Sequence, residues 1–388
     1  MKITRILSIA MAFALCLTCL AGCGGASGYT AENTEYVIGV SGPLTGGAAV
    51  YGTAVKNSAQ MAVDEINAAG GLNGVNFKLV ATDDTHDATK VAANYASMLE
   101  GGMQVSLGTV TTAPGLEFTN LSAEDNVFFI TPSASGDDIP KNDNGFQMCF
   151  ADGNQGKVAA DYVNDLGLDS IGIFYKSDDA YSNGIYKQFK ENLDSSISTV
   201  EAVFTDANAT DFSSQITTLK DCKFIFMPIY YQPASVFMTQ AKDTVAADAV
   251  YYGCDGFDGL AGQFEDFSII PQEVSMLSHF DSNATEGAAA EFIKKYTDKF
   301  GTETLNQFGA SAYDCVYAIY NAMKKAVDEG EEIDVTISAY DLCEILKAQF
   351  TGDFTFSGTT GDDITWEDNG YVTKSAVKYT LKTANSAE

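Results

Sequence analysis

Tyr36-Val37-Ile38-Gly39-Val40-Ser41-Gly42-Pro43 decides the fold, because a helix of matching length succeeds it. The run to Ser41 is apolar and β-branched, and Gly42-Pro43 closes it, which together spell a buried strand ending in a turn. Val55, Ala59, Ala62, Val63 and Ile66 then recur at helical spacing, and Gly70-Gly71 stops that helix. Phe77 to Ala81 is the next strand. A second helix opens at Asp87, carries Val91, Tyr95, Met98 and Leu99 on one face, and halts at Gly101-Gly102. Val105 to Gly108 and Val127 to Ile130 come next as short apolar strands with a helical segment between them. Strands that alternate with helices predict a parallel sheet covered on both faces.

The rhythm restarts after Phe150. Helix Gly153 to Leu166, strand Ser170 to Tyr175, helix Tyr181 to Leu193, strand Phe224 to Met227, helix Pro233 to Thr244 and strand Ala249 to Gly253 form a second set. The fold class is therefore α/β, with two doubly wound parallel-sheet lobes. No low-complexity tract separates the sets, so a short hinge joins them. Helices near 285 to 300, 308 to 329 and 338 to 348 can complete either lobe. The tail from Phe354 to Leu381 alternates as a terminal hairpin does. A chain of 388 residues also exceeds what one core usually serves, roughly 250 to 300 residues.

The amino end reads as an export signal. Lys2 and Arg5 precede an apolar run from Ile6 to Leu20, and Leu20-Ala21-Gly22-Cys23 places small residues before a cysteine whose thiol can carry lipid. Residues 1–22 are thus expected to be removed, Cys23 to be the lipid anchor at the outer face of the membrane, and residues 23–34 to be a flexible tether. Loss of Lys2 and Arg5 takes the formal net charge from −30 to −32. Such acidity argues against nucleic acid as a partner, since phosphate binding needs clustered positive charge. Cys149, Cys222, Cys254, Cys315 and Cys343 lack metal-type spacing and read as small buried residues, with one bridge left open. His86 and His279 are the only histidines, which leaves little material for imidazole catalysis or a zinc site.

Ligands of open α/β sheets bind beyond the carboxyl ends of the strands. Thr109-Val110-Thr111-Thr112-Ala113-Pro114 succeeds one such strand, with two threonine hydroxyls and a helix start suited to a carboxylate. Thr131-Pro132-Ser133-Ala134-Ser135 is a second hydroxyl-rich strand end. Cys254-Asp255-Gly256 places an acid at the mouth of the second lobe. An anion cradle facing an acid is the arrangement an α-amino acid requires. Each feature also has a plainer reading: hydroxyls at strand-to-helix junctions serve as caps, Asp255 precedes a turn glycine, and Tyr51, Tyr181 and Tyr230 are half-buried aromatics.

Several motifs together carry a family resemblance. They are Ser41-Gly42-Pro43-Leu44-Thr45-Gly46, Tyr51-Gly52 with Ala62-Val63-Asp64-Glu65-Ile66-Asn67-Ala68-Ala69-Gly70-Gly71, and Thr210-Asp211-Phe212-Ser213-Ser214-Gln215. From Tyr36 to about Trp366 the chain resembles the substrate-binding proteins of branched-chain amino acid ABC transporters, of the type I periplasmic-binding-protein fold. The resemblance implies a ligand site of Tyr51, Thr111, Thr112, Ser133, Ala134, Ser135, Tyr181, Tyr230 and Asp255. In it, Thr112 gives hydroxyl and amide to the ligand carboxylate, Ser133 and Ser135 supply a carbonyl and a hydroxyl, and the tyrosines wall the pocket. Asp255 meets the ammonium where the related binders have glutamate; one methylene less leaves room for a bulkier ligand or a water.

The resemblance further implies three crossings between lobes, near Phe150, Asn283 and Asp353. Residues 35–150 with 284–353 then form lobe 1, and 151–283 with 354–388 form lobe 2. It implies capture of a small molecule, an amino acid or related carboxylate, by a monomer without cofactor, and handover to the transmembrane subunits of an ABC permease. A tethered sensor of the same fold is the alternative. An enzyme is not expected, since no Gly-x-Ser-x-Gly elbow and no paired acids beside a nucleophile occur.

Overall fold

The computed structural model describes residues 33–385, so the expected leader, Cys23 and the tether as far as residue 32 lie outside the described residues. The chain opens with β1 (Tyr36–Gly42), α1 (Ala49–Ala68), β2 (Phe77–Asp83), α2 (Val91–Glu100), β3 (Val105–Ser106), α3 (Thr112–Asp125), β4 (Phe129–Thr131) and β5 (Gly145–Gln147). These strands make one parallel sheet in the order β2-β1-β3-β4-β5. All seven residues of β1 are buried, as a central strand covered on both faces requires.

A second set comes after it: α4 (Asp152–Asp165), β6 (Ser170–Lys176), α5 (Ala180–Asn192), β7 (Ser198–Phe204), α6 (Ser213–Leu219), β8 (Phe224–Met227), α7 (Tyr231–Ala241), β9 (Val250–Gly253) and β10 (Glu273–Ser278). The chain ends with α8 (Gly287–Phe300), α9 (Gln307–Asp328), α10 (Ala339–Phe350), β11 (Phe356–Gly358), β12 (Gly361–Ile364) and β13 (Val377–Lys382). The second sheet has the order β13-β10-β9-β8-β6-β7 and is parallel except at β13. Two doubly wound lobes are therefore present, and in each the strand order reverses beside the first strand of the set.

Four elements go beyond the sequence expectation: β5, β7, α6 and β10. β7 is an edge strand whose Ser-Thr-Val-Glu-Ala-Val-Phe buries only Ala202 and Phe204, so it lacks the apolar run that marks a central strand. The three late helices belong with the first sheet. α9 lies along α1, and the segment before α10 is tied to the first sheet by Gln104 Nε2, which donates to the Val335 and Ile337 carbonyls at 3.1 and 2.8 Å.

The tail corrects the expectation of a single hairpin over Phe354 to Leu381. Only β11 and β12 pair as a hairpin, and β13 instead runs antiparallel along β10. The hairpin also stays with the first lobe rather than the second. The Asp314 carboxylate, on α9, accepts from Thr359 N at 2.7 Å and from Thr360 N and Oγ1 at 2.7 and 2.6 Å, and Trp366 packs on Phe350 while donating to the Gln147 carbonyl. The return to the second sheet, expected near Asp353, is thus made only on the approach to Val377. Lys374 ties that return to the first crossing, since its Nζ donates to the Met148 carbonyl at 2.9 Å and to Thr360 Oγ1 at 2.7 Å. The other two crossings fall between β5 and α4 and between β10 and α8.

Among the described residues the five cysteines are all free: Cys149, Cys254, Cys315 and Cys343 are buried and Cys222 is half-buried. Among the described residues no helix is long and apolar enough to cross a membrane.

Candidate functional site

The strand ends of both sheets open on one narrow interlobe cavity. Tyr51, Thr111, Thr112, Ser133, Ser135, Tyr181, Tyr230 and Asp255 line it, joined by Val110, Gly256 and Phe308. Ala134 is the exception among the expected residues. Its N–H donates to Thr131 Oγ1 at 2.9 Å, its carbonyl accepts from Gln147 Nε2 at 3.3 Å, and its methyl is in the core. Successive residues of an extended segment face opposite ways, so Ser133 and Ser135 reach the cavity and Ala134 turns from it.

On the first wall, Thr111 holds the N-cap position of α3 in extended conformation, but its side chain makes no cap hydrogen bond. Its hydroxyl pairs instead with His86 Nδ1 at 2.9 Å. Thr112 begins the helix, and its Oγ1 is buried with no partner. Neither threonine is a cap, and the first-turn amides of α3 have no acceptor within the helix. A buried hydroxyl without a partner forgoes about 1–3 kcal/mol of hydrogen bonding unless a ligand supplies it.

Tyr51 sits in the first turn of α1, edge-on to Tyr231 and Phe308, and reaches across the cleft to donate to the Gly256 carbonyl at 2.6 Å. The adjoining glycine lets α1 approach so closely: a Cβ on Gly52 would stand 2.2 Å from the Pro43 carbonyl oxygen.

On the second wall, Tyr181 and Tyr230 stack with ring centroids 4.6 Å apart and planes 14° from parallel. The Tyr181 hydroxyl donates to Asp255 Oδ1 at 2.6 Å and accepts from Gly256 N at 2.9 Å. That close seat needs glycine at 256, where a Cβ would lie 2.7 Å from the tyrosine oxygen. Asp255 is 1% exposed, its Oδ2 has no partner, and its own N–H donates to Gln155 Oε1 at 3.0 Å. Burial pushes its carboxyl up to about 7, against the Tyr181 and Gln155 hydrogen bonds that favour the ionised form. Two residues with an unpartnered oxygen therefore line one cavity from opposite walls, Thr112 at a helix start and Asp255 beside the Tyr181 hydroxyl.

Sequence reasoning passes over four residues here. Phe308 reads as ordinary core. His86 lies in the strand-end loop Asp83-Asp84-Thr85-His86-Asp87 with a left-handed backbone, φ 64°, and its Nε2 stands 3.8 Å from Asp179 Oδ2 on the opposite lobe. Burial lowers the His86 pKa and the Asp179 charge opposes that shift. Asp152 and Gln155 open α4 at the first crossing, where an acid with a glutamine one turn on was the available signal. Asp152 N donates to the Ser135 carbonyl at 2.7 Å, another contact between lobes.

Comparison with known proteins agrees with the two-lobed fold. Residues 35–374 match the family model described as periplasmic binding protein. The Leu/Ile/Val-binding protein BraC3 of Rhizobium johnstonii is 28% identical over 339 residues, covering 85% of this chain and 89% of the relative. The branched-chain amino acid transporter substrate-binding protein LivJ of Streptococcus pneumoniae, solved in complex with isoleucine, superposes with a TM-score of 0.78 at 26% identity, over 90% of this chain and 96% of that one. A solute-binding protein of an ABC transporter from R. palustris, solved with benzoate, shares the fold with a TM-score of 0.75 at 17% identity, over 91% and 95% of the two chains.

Proposed function

The chain belongs to the periplasmic-binding-protein family, of the branched-chain amino acid type I kind, and from that premise we propose that it captures an α-amino acid between its lobes and delivers it to an ABC importer. It works as an extracytoplasmic lipoprotein held by lipid on Cys23, and the closed form is the one the permease subunits recognise. Thr112 receives the ligand carboxylate with its hydroxyl and the first amides of α3, aided by Ser133 and Ser135 and by Thr111, which His86 steadies. Asp255 receives the ammonium on Oδ2. Tyr51, Tyr181 and Tyr230 wall the side chain and exclude water.

The observation that carries this reading is the pair of buried, unpartnered oxygens, Thr112 Oγ1 and Asp255 Oδ2, on one cavity. Each is half of an interaction that a zwitterion completes, and the two cost stability until it does. Two charge clusters and an apolar side chain are enough for micromolar binding, about −8 kcal/mol.

A thermal-shift panel of amino acids, aromatic carboxylates, amides and purines tests the reading, with calorimetry on the hits. Amino acids with apolar side chains are expected to raise the melting temperature. Stabilisation only by ligands that lack a carboxylate or an ammonium would overturn it.

A further inference from the structure

His86 and Asp179 meet across the cleft, although neither lines the cavity. Asp84 shapes the loop that carries the histidine: it is wholly buried, its Oδ1 accepts from His86 N at 2.9 Å, and its Oδ2 accepts from Ser41 Oγ at 3.0 Å. The imidazole stands edge-on to Tyr230 of the second lobe, with ring centroids 5.3 Å apart, and each nitrogen has its own partner. Nδ1 pairs with Thr111 Oγ1 at 2.9 Å on the cavity wall, and Nε2 stands 3.8 Å from Asp179 Oδ2 on the other lobe. Asp179 divides its carboxylate in the same way, since Oδ1 caps α5 by accepting from Ser182 N at 2.8 Å while Oδ2 is turned to the histidine. The other charged groups near the ring are engaged elsewhere: Asp87 accepts from Thr89 N at 2.9 Å, and Lys176 pairs with Asp206 at 2.7 Å.

A neutral imidazole has one N–H and one lone pair, so the partner at one nitrogen decides what the other offers. At 3.8 Å a carboxylate is beyond hydrogen-bond reach, yet its charge still favours a proton on the nitrogen that faces it. We propose that His86 is a positioning residue that couples the seating of the second lobe to the carboxylate wall: Asp179 draws the ring proton to Nε2, and Nδ1 then accepts the Thr111 hydroxyl and holds it in one rotamer beside Thr112. The inference rests on the reading of the protein as one that closes on its ligand, because Asp179 and His86 belong to different lobes. Without Asp179 the ring proton is free to move to Nδ1, and the Thr111 hydroxyl loses its fixed acceptor. His86 and Asp179 therefore act as one unit in retaining the ligand.

Two substitutions separate this coupling from a structural role. Asparagine caps a helix as well as aspartate does, so Asp179→Asn keeps the start of α5 and removes only the charge at Nε2. Asparagine also tolerates the left-handed backbone at position 86, φ 64°, so His86→Asn keeps the loop and removes the ring.

The test is a double-mutant cycle read by calorimetry and stopped-flow dissociation of isoleucine at about pH 8, where the burial that lowers the His86 pKa keeps the ring neutral. Each single variant is expected to weaken binding about 3- to 30-fold, chiefly through faster dissociation, and the double variant to lose no more than about twofold beyond the weaker single. Nitrogen NMR of His86 and His279, the only histidines, reads the ring proton directly, and the His86→Asn spectrum identifies the signals that belong to His86. With isoleucine bound, the His86 proton is expected on Nε2 in the wild type and divided between the two nitrogens in Asp179→Asn. Single variants that bind as the wild type does, losses that multiply in the double variant, or the same ring proton position with and without the Asp179 charge would overturn the coupling. If isoleucine and every other amino acid of the panel fail to bind the wild type, the proposed function falls and this inference with it; binding with independent losses removes only the present inference.

Discussion

A hydroxyl that caps a helix and a hydroxyl that waits for a ligand differ in the effect of their removal. Thr112 Oγ1 has no protein partner, so Thr112→Val replaces an unpaired buried polar atom with a methyl of the same shape. The expected result is an unchanged or higher melting temperature together with amino-acid affinity weakened about 10- to 100-fold, the worth of a hydrogen bond to a charged group. Calorimetry beside thermal denaturation checks both; a fall in stability with affinity intact would make Thr112 structural. At this scale the sequence is informative where chemistry and position coincide. Thr112, Ser135 and Asp255 are polar residues at strand ends, and they meet at one cavity. Ala134 does not join them, because backbone alternation turns the middle residue of its loop inward while both neighbours face the cavity. Asp152 and Gln155 offer only the weak signal of an acid and a glutamine one turn apart, because the contact that brings Gln155 to Asp255 joins positions 100 apart in sequence.

Elements are legible in proportion to how completely they are buried. β1 and β8 are buried throughout and their runs of apolar residues mark them, whereas β7 leaves most of its residues uncovered at a sheet edge. The late hairpin has a different logic, because a charge holds it. The Asp314 carboxylate accepts three hydrogen bonds from Thr359 and Thr360 while Lys374, half-buried and drawn down to about 8 by desolvation, donates to Thr360 Oγ1. Such a role cannot be seen in periodicity. Asp314→Ala leaves three donors without their acceptor and removes the carboxylate charge that favours the Lys374 ammonium, which is expected to cost about 3–5 kcal/mol. Equilibrium denaturation measures it, and a loss under about 1 kcal/mol would show that the hairpin does not depend on this anchor.

At the scale of the whole molecule, the two lobes meet around the cavity through polar contacts as well as the aromatic ones of Tyr51. Tyr51 donates to the Gly256 carbonyl at 2.6 Å, Asp152 N to the Ser135 carbonyl at 2.7 Å, and Gln307 N to Asp258 Oδ2 at 2.8 Å. In the proposed capture these bonds hold the lobes together, and they bear on the lifetime of the complex rather than on the rate of encounter. Tyr51→Phe keeps the aromatic wall and removes one of them. Ligand dissociation is expected to quicken by up to about tenfold with association little changed, as stopped-flow fluorescence would read. An unchanged dissociation rate would place Tyr51 outside the closure step. The alternation of strands and helices announces two lobes, yet which lobe the late helices join is set by α1 and by Gln104, long-range partners that a linear reading does not supply.

The central claim is that opposing walls receive the two ends of one zwitterion, and calorimetry of Asp255→Asn at about pH 8 tests it most directly. The loss of a buried charge partner is expected to weaken amino-acid binding by at least about 2 kcal/mol, more than about twentyfold, while the deaminated analogue binds the variant as well as it binds the wild type. Equal loss of both ligands, or full retention of the amino acid, would contradict the assignment of Asp255 to the ammonium.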